Sequence, residues 1–83
     1  MISSNDYNIL SIFHNNNCTN EKSAFTINQI QKEIKISVGT IRKTLILLQD
    51  LNYINKGFQH WKASSYFITE IGIEYINKFQ EVY

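Results

Sequence analysis

The stretch KISVGTIRKTLILLQDLNYI, residues 35–54, decides the fold of this chain. Apolar residues recur in it at the spacing of one face of an α-helix. Ser37 stands directly before them, where a side-chain oxygen can accept a hydrogen bond from the free N–H groups of a helix start. We therefore predict a helix over residues 38–50. Its buried face would consist of Ile41, Thr44, Leu45, Leu48 and Leu51.

The outward face of this helix is basic near its start. Arg42 and Lys43 lie there, close to the hydroxyl groups of Ser37 and Thr40. The surrounding segment, residues 28–62, contains six basic and two acidic residues, whereas the rest of the chain contains two basic and five acidic ones. A basic middle between acidic flanks is the charge distribution expected of a protein that binds an anionic partner with one face.

A first helix precedes this region, because Tyr7, Leu10 and Phe13 recur at helical spacing. The polar stretch that follows, residues 14–23, is rich in turn-forming residues and predicts a surface loop. Cys18 lies in that loop, so we expect it to be a lone surface thiol.

A short strand over residues 24–26 and a second helix over residues 27–34 complete the first half. The start of the second helix is well defined, because Thr26 and Gln29 have the spacing of a capping box. In such a box each side chain accepts a hydrogen bond from the backbone of the other residue.

After the long helix, two strands and a last helix are predicted. The strands lie within residues 51–57 and 63–69, and the segment between them would form the tip of a hairpin. Thr69 would cap the last helix, with Glu70 at its positive end.

This order of elements resembles a winged helix-turn-helix domain of the small DNA-binding MarR and PadR type. The matching pieces are FTINQIQKEIKISVGTIRKTLILLQDLNYI, residues 25–54, and YFITEIGIEYI, residues 66–76. The resemblance implies an α+β fold in the order helix-strand-helix-helix-strand-strand-helix. We expect one such domain over residues 1–83.

By the same resemblance, helix 38–50 would be the recognition helix in the major groove, and residues 56–62 would be the wing on the DNA backbone or minor groove. The helix would contact DNA through Ser37, Thr40, Arg42 and Lys43, and the wing through Lys56 and Lys62, with His60 and Trp61 as candidate contacts at its tip. An arginine in this position can donate two hydrogen bonds to one guanine, and a lysine more often meets phosphate.

The expected function is sequence-specific binding of double-stranded DNA by a transcriptional regulator, as a dimeric repressor that pairs through its first and last helices. Two alternatives stay open. One is a winged-helix module for protein–protein contacts, since Ile46 and Trp61 are apolar where a DNA face would be polar. The other is a replication or partition protein of a plasmid or virus, which would also bind DNA.

Other classes of function find no support in the residues. One cysteine and loosely spaced histidines do not form a metal motif, and no nucleophile motif or glycine-rich phosphate loop is present. We therefore expect no catalytic residues, metal, cofactor or small-molecule ligand. Without a signal peptide or an apolar run of membrane-spanning length, the expected location is the cytoplasm, at the nucleoid.

Overall fold

The computed structural model describes residues 2–59 and 63–81, with side chains through residue 78. Within these residues, four α-helices and three β-strands follow one another in the predicted order, with a short 3₁₀ turn, Glu21–Ser23, before the first strand. Their bounds are α1 Ser4–Asn15, β1 Phe25–Thr26, α2 Ile27–Gln31, α3 Val38–Asp50, β2 Ile54–Lys56, β3 Ser65–Ile68 and α4 Glu70–Glu81.

The predicted helix starts are confirmed by their capping hydrogen bonds. Thr26 and Gln29 form the capping box of α2, and Ser37 accepts a hydrogen bond from the N–H of Thr40 at 3.3 Å. Thr69 caps α4, because its Oγ1 accepts from the N–H of Gly72 at 3.2 Å. The sequence therefore specified where each of these helices begins.

The three strands form one antiparallel sheet in the order β1-β3-β2. In the central strand, Tyr66 lies opposite Phe25 of β1, and Ile68 lies opposite Ile54 of β2. The sheet therefore holds β1, which leads into α2, beside the wing strand β3, although the two strands are far apart in the sequence.

The core lies between the helices and the sheet. Every helix and the strands β2 and β3 contribute at least one buried side chain to it, which ties α3 to the rest of the molecule. These residues are Ile9, Leu10, Phe13, Cys18, Ile30, Ile41, Leu45, Leu48, Ile54, Tyr66, Ile68 and Ile76.

Two predicted details were wrong. The second helix ends at Gln31, not at residue 34, because the chain continues as turns through which it reaches α3. Leu51, predicted on the buried face, is 39% exposed. It follows the last residue of α3, and Asn52 with φ 62° then directs the chain away towards β2.

Cys18 was also predicted wrongly, since it is fully buried in the core rather than a surface thiol. Its backbone N–H donates to the carbonyl of Phe13 at 2.9 Å, and its carbonyl accepts from the N–H of Ile68 at 2.8 Å. These two bonds hold the loop against α1 and β3, which places the small apolar side chain inside. Burial, with a contribution from the charge of Glu33, raises the pKa of the Cys18 thiol from 9.0 to about 11.

The native protein should therefore react slowly with a thiol reagent at pH 8, whereas the denatured protein should react at once. Because the folded pKa is raised, the stability contributed by the neutral thiol is complete below pH 9 and is lost as the pH rises towards about 11. Reaction rates with and without denaturant measure the first effect. Rapid labelling of the native protein would show that the Cys18 loop opens under native conditions.

Gly72 is a site where α4 packs its backbone against its neighbours. A Cβ atom there would overlap the carbonyl oxygen of Tyr53 and lie 2.7 Å from Cγ1 of Ile68. Replacing Gly72 with alanine should therefore lower the free energy of unfolding by roughly 1–3 kcal/mol, despite the better helix propensity of alanine.

A matched control for this substitution is Gly39→Ala in α3. A Cβ atom at Gly39 would meet nothing within 4 Å. Alanine there should stabilise the protein by up to about 1 kcal/mol. Urea denaturation of both variants measures the contrast, and equal effects of the two substitutions would contradict the close packing of Gly72.

Candidate nucleic-acid interface

The start of α3 presents hydroxyl groups that are already partly ordered. Ser37 Oγ accepts from the N–H of Thr40 and donates to Thr40 Oγ1 at 3.0 Å. Ser37 is exposed and Thr40 is half-buried. Because Ser37 uses its own proton within the protein, Thr40 is the better placed of the two to donate a hydrogen bond to an outside acceptor.

Arg42 and Lys43 lie on the first two turns of α3, and both side chains are exposed. Within the described part of the chain, no acidic side chain forms an ion pair with either of them. Two cations that are solvated and unpaired are available to an anionic partner, because no internal salt bridge has to be broken first.

A groove of about 660 Å³ runs along one flank of α3. Arg42 and Ile46 border it from α3, and Asn28 borders it from α2. Ala63 and Ser64, which precede β3, form part of the opposite wall. The groove thus separates α3 from the segment that leads into the wing strand β3.

The predicted site residues are only partly brought together. Four of them, Ser37, Thr40, Arg42 and Lys43, cluster at the start of α3, and Arg42 alone of these borders the groove. Lys56 is exposed at the end of β2. The other predicted wing residues, His60, Trp61 and Lys62, lie outside the described residues.

Asn28 and Gln49 are two of the polar groove residues that the sequence reasoning did not assign to the site. Asn28, in the first turn of α2, is exposed, and Gln49 of α3 is half-buried where it borders the groove. The capping box at Thr26 gave a usable signal for Asn28, because it fixes which residues occupy the first turn of α2. The helical period gave a signal for Gln49, because it follows Arg42 by seven residues and so lies on the same face of α3.

The comparisons with known proteins identify the family. No protein-family profile matches the chain. The DNA-binding protein TubR of the Clostridium botulinum C phage is 30% identical over 73 residues, which span 88% of this chain and 90% of that protein. The chain belongs to the TubR family.

Solved structures support the assignment to TubR and the fold. TubR from Bacillus megaterium pBM400 matches with a TM-score of 0.79 at 25% identity, over 88% of this chain and 80% of that one. Staphylococcus aureus MepR in a complex with DNA matches with a TM-score of 0.81 over 98% of this chain and 64% of that one. Its identity of 17% shows a shared fold only. The predicted α+β winged helix-turn-helix fold is confirmed.

Within residues 2–59 and 63–81, no helix is long and apolar enough to span a membrane. In the same part of the chain, no three side chains of His, Cys, Asp or Glu come together as a metal-binding group.

Proposed function

We propose that this TubR-family chain binds double-stranded DNA in a sequence-specific manner, with α3 in the major groove. The observation that carries the proposal is the pair of exposed cations Arg42 and Lys43 on the first two turns of α3, which form no ion pair with any described acidic side chain. The name of the phage relative, a DNA-binding protein, supports the same function. In this arrangement Arg42 would donate to a guanine edge, and Lys43 and Thr40 would contact phosphate.

The wing would add contacts to the backbone or the minor groove. Lys56 is the described candidate, because it is exposed at the end of β2. Lys62, His60 and Trp61 complete the proposed set at the wing tip. No catalytic step, cofactor or small-molecule ligand is part of this proposal.

The proposed active form is a homodimer of winged-helix domains over residues 1–83, located in the cytoplasm at the nucleoid. Ile71 on α4 supports an interface at the last helix, because its large apolar side chain is 51% exposed. The first helix leaves less apolar surface free for a dimer interface than we predicted from the sequence, because Ile2, Tyr7 and Ile12 pack against the core. A two-fold dimer would place two recognition helices about one turn of DNA apart and would favour a palindromic site.

DNA binding of this kind has two candidate biological uses. A repressor would cover an operator and block transcription. A replication or partition protein of a mobile element is favoured by the sources of the relatives, which are a phage and the element pBM400. The two uses are separated by placing the selected site in a reporter promoter and, independently, on an unstable plasmid. Repression of the reporter supports the first use, and improved retention of the plasmid supports the second.

The binding itself is tested by fluorescence anisotropy with a pool of random duplexes at two salt concentrations, followed by selection and sequencing. Expected are salt-sensitive binding and an enriched, two-fold symmetric sequence. Binding without enrichment would remove sequence specificity from the proposal. No binding at low salt would overturn it in favour of a module for protein–protein contacts.

A further inference from the structure

We propose that Ile46 is a specificity-determining residue that contacts the C5-methyl group of a thymine in the major groove, one or two base pairs from the base that Arg42 contacts. The inference rests on the proposed DNA binding by α3 and deepens it. The inference assigns recognition of one base of the DNA site to an apolar contact. The basic residues alone do not supply such a contact.

The exposure of Ile46 has no explanation within the protein. Its side chain is 61% exposed, the largest value among the exposed large apolar residues of the described chain. It is not among the partly buried side chains that pack against the core. Isoleucine is also a weaker helix former than alanine or the long polar residues, so the helix itself gains nothing from it.

Ile46 lies on the face of α3 that would enter the major groove of DNA. It follows Arg42 by four residues and Lys43 by three, so all three side chains lie on adjoining parts of one helix surface. Arg42 and Ile46 also border the same groove of the protein, next to Ala63 and Ser64. A rise of about 1.5 Å per residue separates Ile46 from Arg42 by roughly 6 Å along α3, the distance of about two base-pair steps.

The chemistry of this surface fits DNA better than it fits a protein partner. A protein that covered Ile46 would also remove Arg42 and Lys43 from water, at a cost in free energy, because no described acidic side chain supplies an internal counter-charge. The major groove offers phosphates to the cations and one kind of apolar group, the thymine methyl, to the isoleucine. Asp50, exposed one turn beyond Ile46, would be repelled by phosphate, so the contacting part of α3 would end near Ile46.

The experiment removes the methyl group from the DNA. In the selected duplex each thymine is replaced singly by deoxyuridine, which differs only by the missing methyl. The parent protein should lose about three- to fivefold in affinity at one thymine of each half-site. Ile46→Ala should bind the unmodified site more weakly and should no longer distinguish thymine from uracil at that position.

Two variants serve as controls. Ile46→Val keeps a branched apolar side chain and should keep most of the discrimination. Leu47→Ala removes an apolar side chain of α3 that is 38% exposed and does not border the groove shared by Arg42 and Ile46, and it should leave the discrimination unchanged. Circular dichroism checks that each variant is folded, so that lost binding is not lost structure.

The outcomes separate the inference from the proposed function. If the parent binds its selected site but Ile46→Ala keeps every thymine preference of the parent, the role of Ile46 is overturned while DNA binding stands. If the parent binds no duplex at low salt, the proposed function fails and the inference fails with it.

Discussion

Replacing Asp6 with alanine should lower the free energy of unfolding by roughly 2–4 kcal/mol, a large share of the stability of so small a domain. Asp6 lies in the first turn of α1 and is largely buried. One carboxylate oxygen accepts from the N–H of Ser3 at 3.1 Å, and the other accepts from the hydroxyl of Thr44 on α3 at 2.8 Å. The substitution would remove a charge that suits the start of a helix and would leave a buried hydroxyl without an acceptor.

The contribution of the link between α1 and α3 can be isolated with a double-mutant cycle. Thr44→Val keeps the shape of the buried side chain but removes the hydroxyl, so it should destabilise the protein by about 1–3 kcal/mol. Once Asp6 is alanine, the same change should cost much less, because the carboxylate it would strand is already gone. Urea denaturation of the four proteins measures the coupling energy.

Asn8→Ala is the matched control for Asp6→Ala. It also shortens a polar side chain of α1, but Asn8 is exposed. Its effect should stay within about 0.5 kcal/mol. Additive effects of Asp6→Ala and Thr44→Val would show that the hydrogen bond between α1 and α3 does not couple the two helices.

The sequence predicted the local structure well, because local signals determine it. Ser37, the Thr26–Gln29 capping box and the apolar period of α3 each act over a few residues, and each is found where it was expected. The outward position of Arg42 and Lys43 follows from the same period. The part of the candidate site that lies on one helix was therefore predictable.

Features that depend on distant pairs of residues were not predictable in the same way. Cys18 is buried because the loop around it bonds to β3, fifty residues later in the chain. The hydrogen bond between Asp6 and Thr44 spans 38 residues, and the groove beside Arg42 needs both α2 and the wing segment. Composition and periodicity do not report contacts between distant residues. The polar loop around Cys18 was therefore predicted to lie wholly on the surface.

The outward and buried faces of α3 would have different roles in DNA binding. Among the described residues, the cations at its start are exposed and have no acidic partner, whereas its buried face is fixed by Ile41, Leu45 and Leu48 and by the bond from Thr44 to Asp6. Because the backbone of α3 is already fixed, it loses little conformational entropy on binding, which favours affinity, and the ordering cost falls on the exposed side chains of Arg42 and Lys43. Substitutions on the outward face should therefore change binding while leaving stability nearly unchanged.

Arg42→Ala should weaken binding to the selected DNA site by roughly 1–3 kcal/mol per half-site, or about five- to 150-fold, and relax the preference for one guanine. Lys43→Ala should instead weaken binding to all sequences alike and reduce the slope of log affinity against log salt concentration by about one per protomer. The two cations are neighbours on α3 and both are exposed, so the contrast tests their separate roles. Anisotropy titrations with the selected site, a variant with that guanine replaced and a random duplex, each at several salt concentrations, measure both effects.

Lys78→Ala distinguishes these local effects from a change in net charge. Lys78 is exposed on α4 and carries the same charge as Lys43, but it lies outside the basic segment. Its loss should reduce affinity only slightly, through long-range electrostatics that salt screens. If Lys78→Ala weakens binding as much as Lys43→Ala, or if Arg42→Ala keeps the full preference for guanine, α3 is not the helix that contacts the bases.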